Sequence, residues 1–504
     1  MKIFTNNDIR AIDRLTIERG TTATDLINRV ADGVSDEIVA NFPSTRPTII
    51  FAGPGNNGAD ALAVAARLAR QGFQPDIYLF NIGGDKLSPE CRTFRDNLRG
   101  VPGIRLNEVT GAFTLPDLDR NHLVIDGLFG SGLHDGLSGG FVTLVRYINE
   151  SGATIISIDV PSGMFSDWNK GVLNRNVIHA DITIAIQFPR LAFMMKENQD
   201  LVGKWKVIDI GLDANAIRTT PTNFQIVDAL GVRHLLKSRN PFCSKADFGH
   251  ALIVAGSYGM MGAAQFAARG ALRSGVGKLT VRSASWGFEI MQTAVPEAMF
   301  SPDNNDNIIT AIPTGRDYSA VAIGPGIGRA EATISALETF LKSAVGPLVL
   351  DADALNCIAQ RRSLLDLIPD FSIITPHAGE FDRLFGKHST DEERLLRAIK
   401  AAEDYHIIIL IKGRYTALVR PDGRVYFNST GTPALATPGS GDVLTGIIVS
   451  FLAQGYNPDV AALLAAYVHG MAGEIAAETN GIFGTTAGDI ADCTSKALLK
   501  IMGE

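Results

Sequence analysis

The feature that most constrains this chain is a pattern repeated along it: a short apolar run, a glycine-containing turn, then a stretch with helical spacing. Thr48–Ala52 leads into Gly53-Pro54-Gly55-Asn56-Asn57-Gly58, and Ala61–Arg70 follows with Leu62, Ala65, Leu68 and Ala69 at helical intervals. Asp76–Phe80, Leu123–Ile125, Thr154–Ile158 and Asp181–Ile186 are further strand candidates. Lys206–Ile210 is expected to be a last, antiparallel edge strand, and Thr5–Arg19 and Leu26–Phe42 two helices ahead of the sheet. Short apolar strands separated by helices predict a parallel sheet covered on both faces.

The pattern breaks at Asp213–Asn223, a polar stretch holding a proline, where a linker is expected. A second α/β series then opens. Its strand candidates are Ala251–Ala255, Lys278–Arg282, Ala320–Ile323, Pro347–Leu350, Ser372–Thr375 and Ile407–Lys412. Ala417–Arg420 and Val425–Phe427 flank the hairpin signal Pro421-Asp422-Gly423. Gly262–Arg273, Val443–Ala453 and Val460–Ala477 read as helices. At 504 residues the chain exceeds the roughly 250–300 that one core supports, so two domains are expected, over 1–215 and 225–504.

Composition excludes several classes. With 46% hydrophobic and 20% charged residues the chain can build two cores. A net charge of −7 without a Lys/Arg run gives no footprint for nucleic acid. No uncharged stretch reaches the ~18 residues that span a bilayer, and Met1–Gly20 lacks the apolar core of a signal peptide. Cys91, Cys243, Cys357 and Cys493 form no Cys-x-x-Cys pair and read as reduced thiols of a cytoplasmic protein. A homo-oligomer is the expected assembly.

In a parallel sheet, ligands bind outside the carboxyl ends of the strands. Three loops of the first half converge there: Gly53–Asp60, Asp126–Leu133 and Asp159-Val160-Pro161-Ser162-Gly163. Amides at a helix start favour an anion such as phosphate. Asn56 and Asn57 can donate amide protons or offer oxygens to a cation. A plain turn would need one glycine, not three. Gly53, Gly55 and Gly58 also satisfy Gly-x-Gly-x-x-Gly, but the acid that a dinucleotide fold places at the end of the second strand comes only at Asp85, past Phe80-Asn81.

Together these loops resemble the NAD(P)H-hydrate epimerase family. The resemblance implies a Rossmann-like three-layer sandwich that interconverts R and S hydrates at C6 of the reduced nicotinamide ring. It implies that Asn56, Asn57, Gly58, Ala59 and Asp60 hold the substrate with Gly130, Ser131, Gly132, Leu133, His134, Asp135 and Gly136. It makes Asp159 the acid/base residue, and Asn57, Asp126 and Ser162 ligands of a potassium ion. The family usually reads Asn-Asn-Gly-Gly-Asp-Gly; the methyl groups of Ala59 and Ala61 are expected to crowd a backbone–phosphate contact.

In the second half, Thr437-Pro438-Gly439-Ser440-Gly441-Asp442 runs directly into a helix. Such amides suit a transferring phosphoryl group, and Asp442 can take a proton from an attacking hydroxyl. A capping role for Asp442 alone would require neither Gly439 nor Gly441. Asp351-Ala352-Asp353 offers two carboxylates to Mg²⁺. Arg273–Thr280 does not fit a P-loop, because Leu279 follows Lys278. With Gly324–Gly328, Thr375–Glu380 and Lys412–Thr416, these loops resemble the ADP/ATP-dependent NAD(P)H-hydrate dehydratase family, a ribokinase-like α/β fold. The resemblance implies phosphorylation of the C6 hydroxyl of the S hydrate and loss of phosphate, with ADP giving AMP. It implies hydrate contacts from Ala263, Gly326, His377 and Asp442, and nucleotide contacts from Lys412, Gly413, Arg414, Tyr415, Thr416 and Gly441.

The two halves make chemical sense together, because an epimerase feeds the R hydrate to an S-specific dehydratase. The alternatives are a ribokinase-like small-molecule kinase with an accessory domain, and a first half that serves as a scaffold, as in messenger-RNA decapping factors.

Overall fold

The computed structural model describes residues 1–82, 84–314 and 317–503. The chain divides into two compact units, Lys2–Thr222 and Asn223–Glu504, with Met1 grouped in the second.

The sheet of the first unit has seven strands among the described residues: β1 (Thr48–Ala52), β2 (Pro75–Phe80), β3 (Arg105–Val109), β4 (Leu123–Gly127), β5 (Thr154–Ile158), β6 (Ile182–Ile186) and β7 (Lys204–Ile208). They lie in the order β3-β2-β1-β4-β5-β6-β7. Every neighbouring pair is parallel. Alternation along each strand feeds two cores. Ile50 and Ala52 of β1 join Leu123 and Ile125 on one face. Ile49 and Phe51 join Val124 on the other, under the helix Gly140–Glu150. The result is three layers. Chain order reverses between β1 and β4, which opens a crevice at their carboxyl ends.

Two edge strands depart from the sequence reading. β7 is parallel to β6, with Ile182 opposite Lys204, not antiparallel. The short turns Leu191–Met194 and Gln199–Val202 carry the chain back across the sheet before β7 begins, and such a crossover makes neighbours parallel. β3, Arg-Leu-Asn-Glu-Val, has no apolar run to announce it, because an edge strand is wetted on one side.

The second unit contributes ten strands: β8 (Phe224–Val227), β9 (His250–Val254), β10 (Lys278–Ser283), β11 (Met299–Pro302), β12 (Ala320–Ile323), β13 (Leu348–Leu350), β14 (Ile373–Ile374), β15 (Ile408–Ile411), β16 (Ala417–Val419) and β17 (Val425–Asn428). Their order is β8-β17-β16-β15-β14-β13-β12-β9-β10-β11. Only β16 runs antiparallel to its neighbours, and the hairpin to β17 turns at Pro421-Asp422-Gly423. The switch in strand order falls between β9 and β12.

Helices Met261–Arg273 and Ser440–Ala453 cross at very short range. A Cβ on Gly446 would lie 1.9 Å from the Ala267 carbonyl oxygen, and one on Gly270 2.4 Å from that of Val443. This contact holds the helix that begins at Ser440 against the sheet. Pro458–Gly484 runs past the expected end at Ala477 and is broken by a kink at Gly481, φ +72°, and a further helix, Ala487–Met502, starts from a Thr486/Asp489 capping box. Among the described residues Pro458–Gly484 alone is long and apolar enough to cross a membrane, and 72% of its apolar window is buried within the fold. The expected linker contains a helix, Ala214–Thr219, capped by Asp213.

Gly446→Ala is therefore expected to destabilise the second unit by about 1–3 kcal/mol, since backbone must move to admit the methyl group. Denaturant unfolding, followed as a fall in midpoint, measures it.

Candidate active sites

In the first unit, the turn after β1 brings backbone against backbone. A Cβ on Gly53 would meet the Leu128 carbonyl oxygen at 1.8 Å, and one on Gly58 that of Gly53 at 1.8 Å. The helix Asn56–Arg70 follows at once, with Gly55 as its N-cap. Asn56, Asn57 and Asp60 therefore project from its first turns into a cleft of about 700 Å³. Gly130, Ser131, Gly132, Leu133, His134, Asp135 and Asp159 also line it. Gly58, Ala59 and Gly136 do not. The crowding expected from Ala59 and Ala61 is not seen: both methyl groups are fully buried in the core, on the two flanks of the helix beside Asp60, and neither lines the cleft.

Asp159 follows β5 with a left-handed backbone, φ +69°, a strained conformation for a non-glycine residue. Its Oδ2 accepts the Ser131 amide N–H at 2.8 Å, and its Oδ1 accepts from Arg190 Nη2. Burial pushes this carboxyl up, but the Arg190 guanidinium and the Ser131 amide outweigh burial and hold it below the usual range. Two other carboxyls nearby go the other way. Burial, with Asp159 and Asp13 as like charges, raises Asp60 well above the usual range. Burial raises Asp13 to about 6, against Arg190, which lowers it, and with Asp159, which adds to it.

Behind them, Asp126 is fully buried. It accepts from Ser157 Oγ at 2.8 Å, Ser162 N–H at 2.9 Å and Ser162 Oγ at 2.5 Å. Burial raises its carboxyl even so. The Asn57 carboxamide is buried with neither Oδ1 nor Nδ2 partnered among the described residues. It lies beside Asp159, since a Cβ on Gly130 would touch Asp159 Oδ2 at 3.0 Å and Asn57 Oδ1 at 3.2 Å.

The sequence reading missed the helix Asn6–Glu18 as a wall of this cleft, with Arg10 and Asp13 on it. It also missed Arg190. The available signal was a lone arginine inside the apolar run Phe188-Pro189-Arg190-Leu191-Ala192-Phe193.

In the second unit, Gly256 N–H donates to the Pro325 carbonyl at 2.8 Å and Ser257 Oγ to that of Gly326 at 2.8 Å, tying together the two loops at the switch. Gly326, at φ +63°, abuts Ala263: a Cβ there would lie 3.1 Å from the Ala263 methyl. Further along the strand ends, Asp351 accepts from Lys412 Nζ at 2.7 Å and from Thr445 Oγ1 at 2.6 Å. Asp353 Oδ2 accepts the Gly328 N–H at 3.0 Å.

Gly439, left-handed at φ +88°, is the N-cap of the helix Ser440–Ala453, so Asp442 lies within the first turn and caps nothing. A Cβ on Gly439 would strike the Phe266 ring at 2.5 Å, and one on Gly441 would lie 3.2 Å from Lys412 Nζ. Ser440 is tied to the buried His469, which the sequence reading did not single out. Burial lowers that imidazole to about 4, so it is neutral at pH 7. Burial raises the Asp442 carboxyl to about 7; Asp351, Asp353 and Glu380 add to the rise and Lys412 opposes it. His377 caps Ala378–Phe385, its Nδ1 accepting the Gly379 N–H at 3.0 Å, with Nε2 3.3 Å from Glu380 Oε1. Gly413 and Arg414 are exposed, and the Arg414 guanidinium lies 4.9 Å from the Tyr415 ring centre.

A carboxylate held ionised in one α/β crevice, and another held near neutrality at a helix start in a second, define a two-site enzyme. Comparison with known proteins assigns it further. Residues 251–496 match the family model described as NAD(P)H-hydrate dehydratase, and residues 23–192 that of the YjeF-related protein N-terminus. A bifunctional NAD(P)H-hydrate repair enzyme of Moorella thermoacetica is 34% identical, over 89% of this chain and 87% of its own. That of Coxiella burnetii is 30% identical over 97% of each. A ribokinase-like superfamily protein of Enterococcus faecalis shares the second unit's fold. It is 23% identical, with TM-score 0.50, over 56% of this chain and 99% of its own. An ADP/ATP-dependent NAD(P)H-hydrate dehydratase of Bacillus subtilis, co-crystallised with ATP/Mg²⁺, is 31% identical with TM-score 0.49, over 56% of this chain and 100% of its own. The chain belongs to the family of bifunctional NAD(P)H-hydrate repair enzymes.

The raised Asp442 carboxyl has a consequence for stability. Its ionisation costs more in the folded than in the unfolded state, so the folded form loses stability as pH rises from the ordinary carboxyl range to about 7. Asp442→Asn is expected to raise the melting temperature above pH 7, with the gain fading on acidification and absent below about pH 4. Thermal melts across pH test this.

Proposed function

We propose that the chain repairs hydrated NADH and NADPH, with residues 1–215 as the epimerase and residues 225–504 as the nucleotide-dependent dehydratase. The observation that carries the reading is the opposite tuning of the two acids, Asp159 held ionised and Asp442 held to about 7. A proton carrier works best near the operating pH, which suits Asp442 to exchange a proton, while Asp159, held ionised, is suited to accept one.

In the first unit, exchange of configuration at C6 needs the C6–O bond to break. The hydroxyl leaves as water after taking a proton, the N1 lone pair makes the C6=N1 bond, and water returns on the other face while releasing a proton. Asp159, beside the Ser131 amide, is the group we assign to that proton traffic, with Asn56, Asn57, Asp60 and the Gly130–Asp135 loop around the substrate. A potassium ion fits behind them: the unpartnered Asn57 Oδ1 is a hard oxygen ligand, with Asp126 and Ser162 adjacent. Bound there, it would offset a substrate phosphate's charge.

In the second unit, Asp442 takes the proton of the C6 hydroxyl as that oxygen attacks the terminal phosphoryl group of ADP or ATP. With ADP, AMP departs. The C6–O bond then breaks with loss of phosphate and of a C5 proton, which restores the double bond. The Gly441 amide and the Lys412 ammonium are the groups we assign to the transferring phosphoryl group, and Ala263, Gly326 and His377 those we assign to the hydrate. Gly413, Arg414, Tyr415 and Thr416 are the open rim we assign to the nucleotide. Among the described residues no three His, Cys, Asp or Glu side chains form a ready metal cage. That fits Mg²⁺, which takes one or two carboxylates, here Asp351 or Asp353, and completes its shell with nucleotide phosphates. The four unpaired cysteines support a cytoplasmic setting, and the exposed Phe242 and Phe483 support a homo-oligomer.

Incubation of the protein with mixed R and S hydrates plus ADP or ATP, followed by chromatography of both epimers, tests the proposal. Both epimers should disappear as free phosphate and dihydronicotinamide absorbance appear; a kinase would instead accumulate a phosphorylated alcohol. Asp442→Ala should slow dehydration about 10²–10⁴-fold and leave R–S exchange running, and Asp159→Ala the converse. The dehydration rate should climb with pH through about 7 as Asp442 ionises. Asp351→Asn should move that rise to lower pH, because one of the charges opposing ionisation is gone.

A further inference from the structure

Arg190 is only 2% exposed and is the largest fully buried side chain of the protein. A guanidinium in such a place is costly unless its five donors are met. Nη2 is met, by Asp159 Oδ1 and by the Ile186 carbonyl at 3.3 Å. Nε and Nη1 are buried with no partner among the described residues. The side chain also lines the first-unit cleft. A structural arginine would have its donors satisfied within the fold, as the buried Arg282 does with the Ala311 and Pro302 carbonyls and the Asp303 carboxylate. Asp159 needs such a clamp, since its backbone is left-handed and, among the described residues, its side chain is otherwise held by Ser131.

We propose that Arg190 serves the epimerisation site twice: Nη2 fixes the Asp159 carboxylate in its working orientation, and the neighbouring unpartnered Nη1 donates to an oxygen of the hydrate. This rests on the epimerase reading above. In the first role Arg190 is a positioning residue for Asp159; in the second it is a binding residue. Nη1 sits beside Nη2 on the planar guanidinium, so its N–H suits a hydroxyl or phosphate oxygen lying next to the Asp159 carboxylate. A lysine at 190 could reach Asp159 as a point charge but could not supply the second nitrogen of the fork, so the two roles are separable.

The experiment follows R–S exchange in the full-length protein without added nucleotide, so that dehydration is silent. Arg190→Ala should lower kcat about 100-fold or more, and millimolar guanidinium ion, filling the vacated space, should restore part of the loss. Arg190→Lys should keep kcat within about tenfold of the parent while KM rises about tenfold or more, the loss expected of a hydrogen bond to a charged group. Equal loss of kcat in both variants, with no recovery on adding guanidinium, would reduce Arg190 to a packing role and overturn the inference. So would unchanged kinetics in either variant. If the alanine variant does not fold, the kcat–KM split in the lysine variant decides. Absence of exchange in the parent protein would sink the epimerase reading itself, and the inference with it.

Discussion

A parallel sheet buried on both faces forces each connection to cross back over it, and so gathers the strand-to-helix turns at one edge. Both units obey this constraint. Their reactive groups are far apart in sequence, yet the sheet delivers Asn57, Asp126 and Asp159 to one edge and Asp351, Lys412 and Asp442 to another. The turns can lie so close only where glycine removes the side chain: at Gly53 and Gly58, and at Gly324, where a Cβ would lie 1.8 Å from the Asp351 carbonyl oxygen.

What differs between the sites is how charge is met. In the first, a buried guanidinium offsets the desolvation of Asp159, while burial outweighs the same guanidinium at Asp13 and acts unopposed at Asp60, so both are driven toward their neutral forms. In the second, the lysine that could have stabilised Asp442 is bonded to Asp351 instead. Asp442 is left facing three carboxylates on two other loops, Asp351 and Asp353 on one and Glu380 on the other, and rises to about 7. Two aspartates on similar scaffolds thus acquire opposite character from their neighbours, as the balance of desolvation and Coulomb terms requires.

The apolar runs and glycine turns were legible because buried parallel strands are continuous apolar segments and tight turns have few solutions. Edge strands were not. Arg105–Val109 carries no such signal, and the direction of Lys204–Ile208 depends on a crossover made of short turns. The Gly439–Asp442 motif stood out, but not that Gly439 is the cap and Asp442 lies inside the helix. Ala59 and Ala61 looked like obstacles in the sequence. On the helix they flank Asp60, and both methyl groups pack into the core rather than into the cleft.

By itself the sequence determined the α/β class, the two sheets and the loops that carry chemistry, because local spacing and turn residues encode them. Tertiary structure alone decided which charges meet. Arg190 reaches Asp159 across 31 residues, Lys412 reaches Asp351 across 61, and Thr445 reaches the same carboxylate across 94. A carboxyl's proton affinity is set by burial and by neighbours within a few ångströms, and no pattern along the chain records either.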